Sequence, residues 1–383
     1  MTEPAELSVE TSKLNGFSID LGETAANSSS NASRFHAAIE PPPNSVGLMA
    51  TVATAVESFR STYMTAHNSD RVAIDQLGSD LSTTAKAYRS TDDSNAGALG
   101  ALSSSAFNED TAAGALDRGH TRYGGLQLPS LQDVADDPKK IRQVVTAAIA
   151  QLSPYEESLS IAMGIRPISE FLVPLEADWE SIEVIGKRIA MLGINDFVTS
   201  ENIAGGTRWL RSDWTGSAAD SFETTATTLA QSVNTRSLDL DAVAKIAENA
   251  GICLEQLVLN QAMDMSSRVL ETISEGENSF PLGVWAQLVN EPLQPGVSSR
   301  VTTAVDSLKQ AAEARRSAIT SLIDKLTQAL NYTPGRIPPV FNPADYVAPD
   351  KITADPGTRR YGYGSNVWWQ EESIDSSAAQ ISA

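Results

Sequence analysis

Two long stretches of this sequence keep apolar residues three and four positions apart, and that spacing limits the fold more than any other feature. In the first, Val52, Val56, Phe59, Tyr63, Ala66, Ile74, Leu77, Leu81, Ala85 and Tyr88 share one face, with Asp70 as the polar misfit. In the second, Phe222, Ala226, Leu229, Val233, Leu240, Val243, Ala247, Ala250, Leu254, Leu257 and Met265 do the same. A strand repeats every two residues and cannot satisfy this period, whereas a helix with a coiled-coil-like seam can. The second run predicts a helix over 217–275, about 90 Å long at 1.5 Å per residue. Such stripes need other helices to cover them.

Weaker signals place the remaining elements. Residues 7–40 read as a helix interrupted by the Ser/Asn run at 27–31, after which Pro41, Pro42, Pro43, Asn44 and Gly47 force a turn. Residues 94–130 are small, Gly/Ser-rich and sparsely acidic, the composition of a mobile linker. Helical patterning resumes near Pro138, through Ile141, Val144, Val145, Ala148 and Leu152. A further helix is expected over 174–192, with Trp179, Ile182, Ile185, Ile189 and Leu192 on one face. A Pro/Gly break at 281–296 precedes a last helix over 298–330, and the prolines after Thr333 favour an extended segment. The tail contains RRYGYGSNVWW and reads as loose. The expected fold is all-α: an elongated bundle of two long antiparallel hairpins, 10–96 and 138–330, packed lengthwise. The expected divisions are a hairpin at 1–96, a linker at 97–137, a helical region at 138–332 and a proline-rich tail at 333–383.

Charge and composition exclude several functions. With 28 Lys and Arg against 48 Asp and Glu, the net charge of −20 repels phosphate backbones, so no nucleic-acid partner is expected. The same charge opposes simple electrostatic binding to an anionic membrane. The single cysteine, Cys253, lies in an apolar helical stretch and reads as a buried small residue. The three histidines, His36, His67 and His120, are far apart and read as surface residues. No phosphate loop, HExxH or GxSxG motif occurs, so no catalytic residue, metal, cofactor or small-molecule substrate is expected. The N-terminus MTEPAELSVE has neither a basic nor an apolar region, and no run of eighteen apolar residues exists. Neither a Sec signal peptide nor a transmembrane helix is therefore expected.

Two short motifs stand out. Tyr88 and Asp92 form a Tyr-x-x-x-Asp at the end of the first striped helix, where positions i and i+4 project together. Chance supplies about one such match in this composition, and Tyr346 with Asp350 is a second in a proline-rich setting. Trp214 and Gly216 form a single Trp-x-Gly, against about 0.4 expected by chance. It sits at a helix-to-helix corner where Ser212, Asp213 or Ser217 is expected to cap the second helix.

Together the motifs carry a resemblance. Residues 77–99, LGSDLSTTAKAYRSTDDSNAGAL, resemble the end of the second helix of PE- and EspC-type secretion targets. Residues 208–233, with Phe222 following the corner, resemble the turn of WXG100- and PPE-type proteins. In this order, separated by a linker, they are similar to the EspB-like PE–PPE fusions, substrates of actinobacterial type VII (ESX) secretion. The resemblance implies a non-enzymatic protein, secreted or associated with the cell envelope, that lacks a Sec signal. It implies a composite signal of Trp214, Gly216, Tyr88 and Asp92, with Asp93 as a supplementary acid, read by the secretion ATPase and core complex. It also implies a homo-oligomeric ring and contact with membrane lipid, for which Trp368 and Trp369 offer an apolar contact or, equally, a docking patch on the bundle. The chain departs from the family at Gly205 and Gly206, which are expected to break the helix entering the turn, and in its short tail. An intracellular adaptor for helical substrates, or the targeting module of a separately encoded toxin, are the alternatives.

Overall fold

The computed structural model describes residues 9–42, 45–103 (backbone only for 99–103), 119–126, 134–135, 140–289 and 299–350. The described chain is mostly helical: α1 (Thr11–Ala38), α2 (Met49–Ser103), α3 (Ile141–Leu152), α4 (Glu156–Met163), α5 (Pro167–Phe171), α6 (Ser181–Arg211), α7 (Ser217–Val269), α8 (Leu282–Leu288) and α9 (Ser299–Leu330). One antiparallel hairpin, β1 (Thr272–Glu275) with β2 (Asn278–Pro281), lies between α7 and α8. Trp368 and Trp369 lie outside the described residues.

The long helices pair antiparallel. Arg89 Nε donates to Thr11 Oγ1 at 3.4 Å and Ser18 Oγ to the Gly78 carbonyl at 2.7 Å, so α1 runs back along α2. Small residues set the closer α6–α7 pair. A Cβ on Gly186 would lie 2.4 Å from the Glu248 nitrogen, and one on Gly251 would lie 2.5 Å from the Glu183 nitrogen. Only glycine lets the two backbones approach this far. Helix α1 covers another face of α6, while α9 covers α7 and reaches α2, where Phe59 and Tyr332 lie 6.3 Å apart.

The apolar interior has two parts. The larger contains Phe35, Phe59 and Trp179 with the apolar faces of α3, α9 and the second half of α7. The smaller contains Leu14, Phe17, Leu77, Leu81, Ile203, Leu210, Trp214 and Phe222. Between them, at one level of α1, α2, α6 and α7, runs a belt of polar groups, all buried except the partly exposed Asp70. Helix α1 contributes Ser28, α2 His67 and Asp70, α6 Asn195, Asp196 and Thr199, and α7 Arg236 and Ser237. Arg236 Nε meets Asp196 Oδ2 at 2.7 Å, and its Nη1 pairs with Asp70. Burial raises the Asp196 carboxyl, while Arg236 opposes that rise. Asp70, the misfit in the α2 stripe, thus joins this polar layer at its partly exposed edge.

Several sequence expectations are corrected here. Helix α1 runs unbroken through 27–31, because Ser28 faces inward and receives Asn195 Nδ2 at 3.1 Å and Thr199 Oγ1 at 3.0 Å. Helix α2 extends to Ser103, well into the expected linker. The helix expected at 174–192 begins at Ser181 and runs to Arg211, straight through Gly205 and Gly206. Those glycines do not break it; they form sockets for Tyr123 and Phe17. Helix α7 stops at Val269 rather than near 275, where the hairpin turns at Gly276 with φ 61°. His67 is buried rather than exposed, its ring stacked 5.8 Å from Tyr63. Desolvation first, then Arg236 and Arg71, lowers its pKa to about 4. His36 is half-buried and His120 exposed. Cys253 is buried in α7.

The Trp214–Tyr88 junction as candidate functional site

Helices α6 and α7 meet at a tight corner whose geometry depends on one glycine. Gly216 has φ 98°, a conformation that L side chains rarely adopt, and it starts α7 without a side-chain cap. Two of the three expected caps, Asp213 and Ser212, are engaged elsewhere. Asp213 pairs with Lys13 of α1, and that contact holds the carboxyl below the usual carboxylate range. Ser212 Oγ lies 2.7 Å from the Trp209 carbonyl. Arg211 holds the corner from the other side, with Nη2 2.8 Å from Asp220, Nε 2.9 Å from Glu223 and Nη1 3.2 Å from the Trp214 carbonyl.

This corner drives Trp214 inward, leaving it 2% exposed. Its indole Nε1–H donates to Tyr88 Oη at 3.5 Å, across 126 residues of sequence. The contact is long for a hydrogen bond, so the packing around it contributes much of the junction's stability. Trp214 lies 5.7 Å from Phe222, Phe222 6.4 Å from Phe17, Phe17 6.1 Å from Tyr123, and Tyr123 5.9 Å from Trp209. Each such aromatic pair adds about 0.5–1.5 kcal/mol beyond its buried area. Lys13 Nζ sits 5.3 Å from the Trp209 ring.

The structure therefore brings Trp214, Gly216 and Tyr88 to one end of the molecule. Asp92 and Asp93 lie a turn beyond Tyr88, and Ser90–Ala98 is exposed throughout. From Ser90, α2 continues about 20 Å further to Ser103 at 1.5 Å per residue. The result is an indole–phenol junction, with Trp214 buried and Tyr88 half-buried, and an acidic helical extension beside it. Sequence reasoning missed the groups that hold the junction: Lys13, Arg211, Phe17 and Tyr123. Only Phe17 carried a signal, as an apolar residue in the weak first helix.

A second feature adjoins the junction. Residues 119–126, expected to be loose, lie as a strap across α1 and α6. The Thr121 nitrogen donates to the Ser12 carbonyl at 3.2 Å. Arg122 meets Asp20 at 2.6 Å and Glu23 at 2.5 Å, and the Tyr123 nitrogen donates to Asp20 at 2.8 Å. The Asn202 amide both accepts from the Leu126 nitrogen at 2.6 Å and donates to its carbonyl at 3.0 Å. The strap borders an open cleft of about 610 Å³, which extends along α1 past Asn27. Among the described residues, no group of three or more His, Cys, Asp or Glu is placed to hold a metal ion. Also among them, no single helix is long and apolar enough to cross a membrane, although the bent pair 141–163 and 167–175 qualifies by length and composition.

Compared with family models, with curated proteins and with solved structures, the chain matches none.

Proposed function

We propose that this chain is a non-enzymatic substrate of a type VII (ESX) secretion system, exported to the envelope or medium as an effector or self-assembling structural protein. Its signal is composite: Trp214 and Gly216 from one segment, Tyr88 and Asp92 from another, with Asp93 adding charge. The secretion ATPase and its core complex read the two parts as one surface. In this reading the molecule consists of two elongated antiparallel hairpins packed lengthwise, with the proline-rich tail following them.

The observation that carries the proposal is the meeting of Trp214 and Tyr88 at 3.5 Å, from windows that resemble two halves of one export signal. A signal built this way exists only in the folded chain, since its halves lie far apart in sequence. The acid at Asp92 stays exposed, as a docking group must, while the aromatic pair fixes the helix that presents it.

The test is export from an ESX-competent actinobacterial host, comparing cell and medium fractions for Trp214→Ala, Tyr88→Ala and Asp92→Asn. Asp92→Asn leaves the interior untouched, so it separates recognition from folding. The expected result is normal cellular protein with at least about ten-fold less in the medium, a difference in recognition of about 1.4 kcal/mol. Undiminished export of all three variants would refute the proposal. Retention of the unaltered chain in cells would favour the intracellular adaptor.

A further inference from the structure

The strap across α1 and α6 shows what the cleft there accepts: an arginine for the Asp20 and Glu23 carboxylates, then a tyrosine, then a glycine. The tyrosine enters because Gly205 has no Cβ, which would otherwise lie 2.0 Å from Tyr123 Oη. Gly124 follows with φ 75°, a backbone state that favours glycine. The same order occurs a second time in this chain, as Arg360-Tyr361-Gly362 in the C-terminal tail. With 19 arginines, eight tyrosines and 24 glycines in 383 residues, chance supplies an Arg-Tyr-Gly about 0.025 times. Arg359 precedes Arg360, so this part of the tail carries two guanidinium groups.

Reach decides which molecule's cleft the tail can enter. The Asp350 carbonyl is held by Asn260 Nδ2 at 2.8 Å, on the second half of α7. In the antiparallel α6–α7 pair, Gly251 lies against Glu183 and Gly193 against Ser237. That register puts Asn202 level with about residue 230 of α7, about 45 Å from Asn260 at 1.5 Å per residue. The ten residues from Asp350 to Arg360 span at most about 36 Å fully extended. The path must also pass around α6 to reach α1. The tail falls short of its own cleft.

We propose that Arg359–Gly362 of one molecule docks in the α1–α6 cleft of a second copy, in place of the strap, and so links copies head to tail. The strap, tethered at both ends, is the intramolecular competitor that keeps this association weak and concentration-dependent. A contact of this kind is heterologous, so it builds rings or open chains rather than isologous pairs. The inference concerns self-association of the purified protein and does not depend on export.

The test is sedimentation velocity on the full chain across a concentration series at low salt. The unaltered protein is expected to self-associate, with Arg360→Glu and Glu23→Arg each weakening association at least about ten-fold by charge repulsion. Mixing those two variants restores it, because the carboxylate introduced into the first tail then meets the guanidinium introduced into the second cleft. Tyr123→Ala, which loosens the strap, strengthens association, whereas a merely structural role for Tyr123 would not. A chain that stays monomeric throughout the series, or one whose association ignores Arg360→Glu, overturns the inference. So does a mixture of the two charge variants that associates no better than either alone.

Discussion

Replacing Arg236 with methionine keeps the length of the side chain and removes its charge from the centre of the polar belt. Arg236 is 5% exposed and Asp196 0%, so the substitution strands a carboxylate with no access to water. Two routes give the size of the effect. A charge pair about 4 Å apart at an effective dielectric constant of 20 is worth about 4 kcal/mol. Breaking a buried pair by removing one partner is measured at about 3–5 kcal/mol. The lost cation has a second partner in Asp70, which is partly exposed and recovers water, so its share is small.

The expected loss is therefore about 4 kcal/mol at neutral pH, a large fraction of the stability of most domains. The sign with pH follows from Asp196. Without Arg236, burial and then the Asp70 charge raise the Asp196 carboxyl against only the Tyr63 hydroxyl, so its folded pKa lies above the unfolded value. A group shifted upward contributes stability that is present below the unfolded pKa and lost as pH rises through the folded one. The deficit should thus be smaller at pH 5 than at pH 8. Guanidinium unfolding followed by far-ultraviolet circular dichroism at both pH values measures it. A loss under about 1 kcal/mol, or one equal at both pH values, would show that Asp196 is not stranded as argued.

Three further predictions use the same assay or a simple spectrum. Gly206→Ala gains about 1 kcal/mol on helix propensity alone, but its Cβ would lie 1.9 Å from Phe17 Cε2. Overpacking of about 1–3 kcal/mol makes the net effect destabilising, and a stabilised variant would contradict the socket. His67, with its pKa lowered to about 4, is neutral in the folded chain, so its contribution is intact above the unfolded value of 6.5 and lost as pH falls toward 4. That loss is about 3 kcal/mol at 1.36 kcal/mol per unit, and His67→Phe should flatten the acid limb of the stability curve. Replacing Asp70, Asp196 and Arg236 together with leucine, leucine and methionine should preserve folding but loosen helix register. The indole N–H resonance of Trp214 reports this, and an unchanged single peak would dismiss the belt as the register device.

The long helices are legible because their stripes obey one period over many turns, and Asp70 announces itself by breaking that period. Its meaning is not legible, since Arg236 lies 166 residues away. The Ser/Asn run at 27–31 and the Gly205–Gly206 pair predict helix interruptions for a sound local reason: such residues favour turns in isolation. Tertiary packing reverses both. Ser28 is small and polar because Asn195 and Thr199 press on it, and the glycines are bare because Phe17 and Tyr123 occupy the space a side chain would fill. The β1–β2 hairpin escapes sequence reading because its four-residue strands are too short to show their own alternation, so the α7 stripe runs on past Met265, its last apolar member. At the candidate site, the four residues Trp214, Gly216, Tyr88 and Asp92 are readable, while the cations Lys13 and Arg211 have no pattern to betray them.

The polar belt and the junction are connected by helix register. Asp70 lies 18 residues before Tyr88 on α2, about 27 Å, and Arg236 lies 22 residues after Trp214 on α7, about 33 Å. Apolar stripes of similar residues can slide by one turn, about 5.4 Å, with little change in buried area. Such a slip would carry Tyr88 out of reach of Trp214. An ion pair cannot slide this way, because one turn would leave both Asp70 and Asp196 without their cation. The belt is therefore expected to fix register where a wholly apolar core would not, which the triple replacement tests. Glycine sockets then lock the end near Trp214 from the other side, with Phe17 seated on Gly206 and linked through Phe222 to the indole. The proposed signal, assembled from two distant segments, would depend on both devices, since either half alone presents only an ordinary helix.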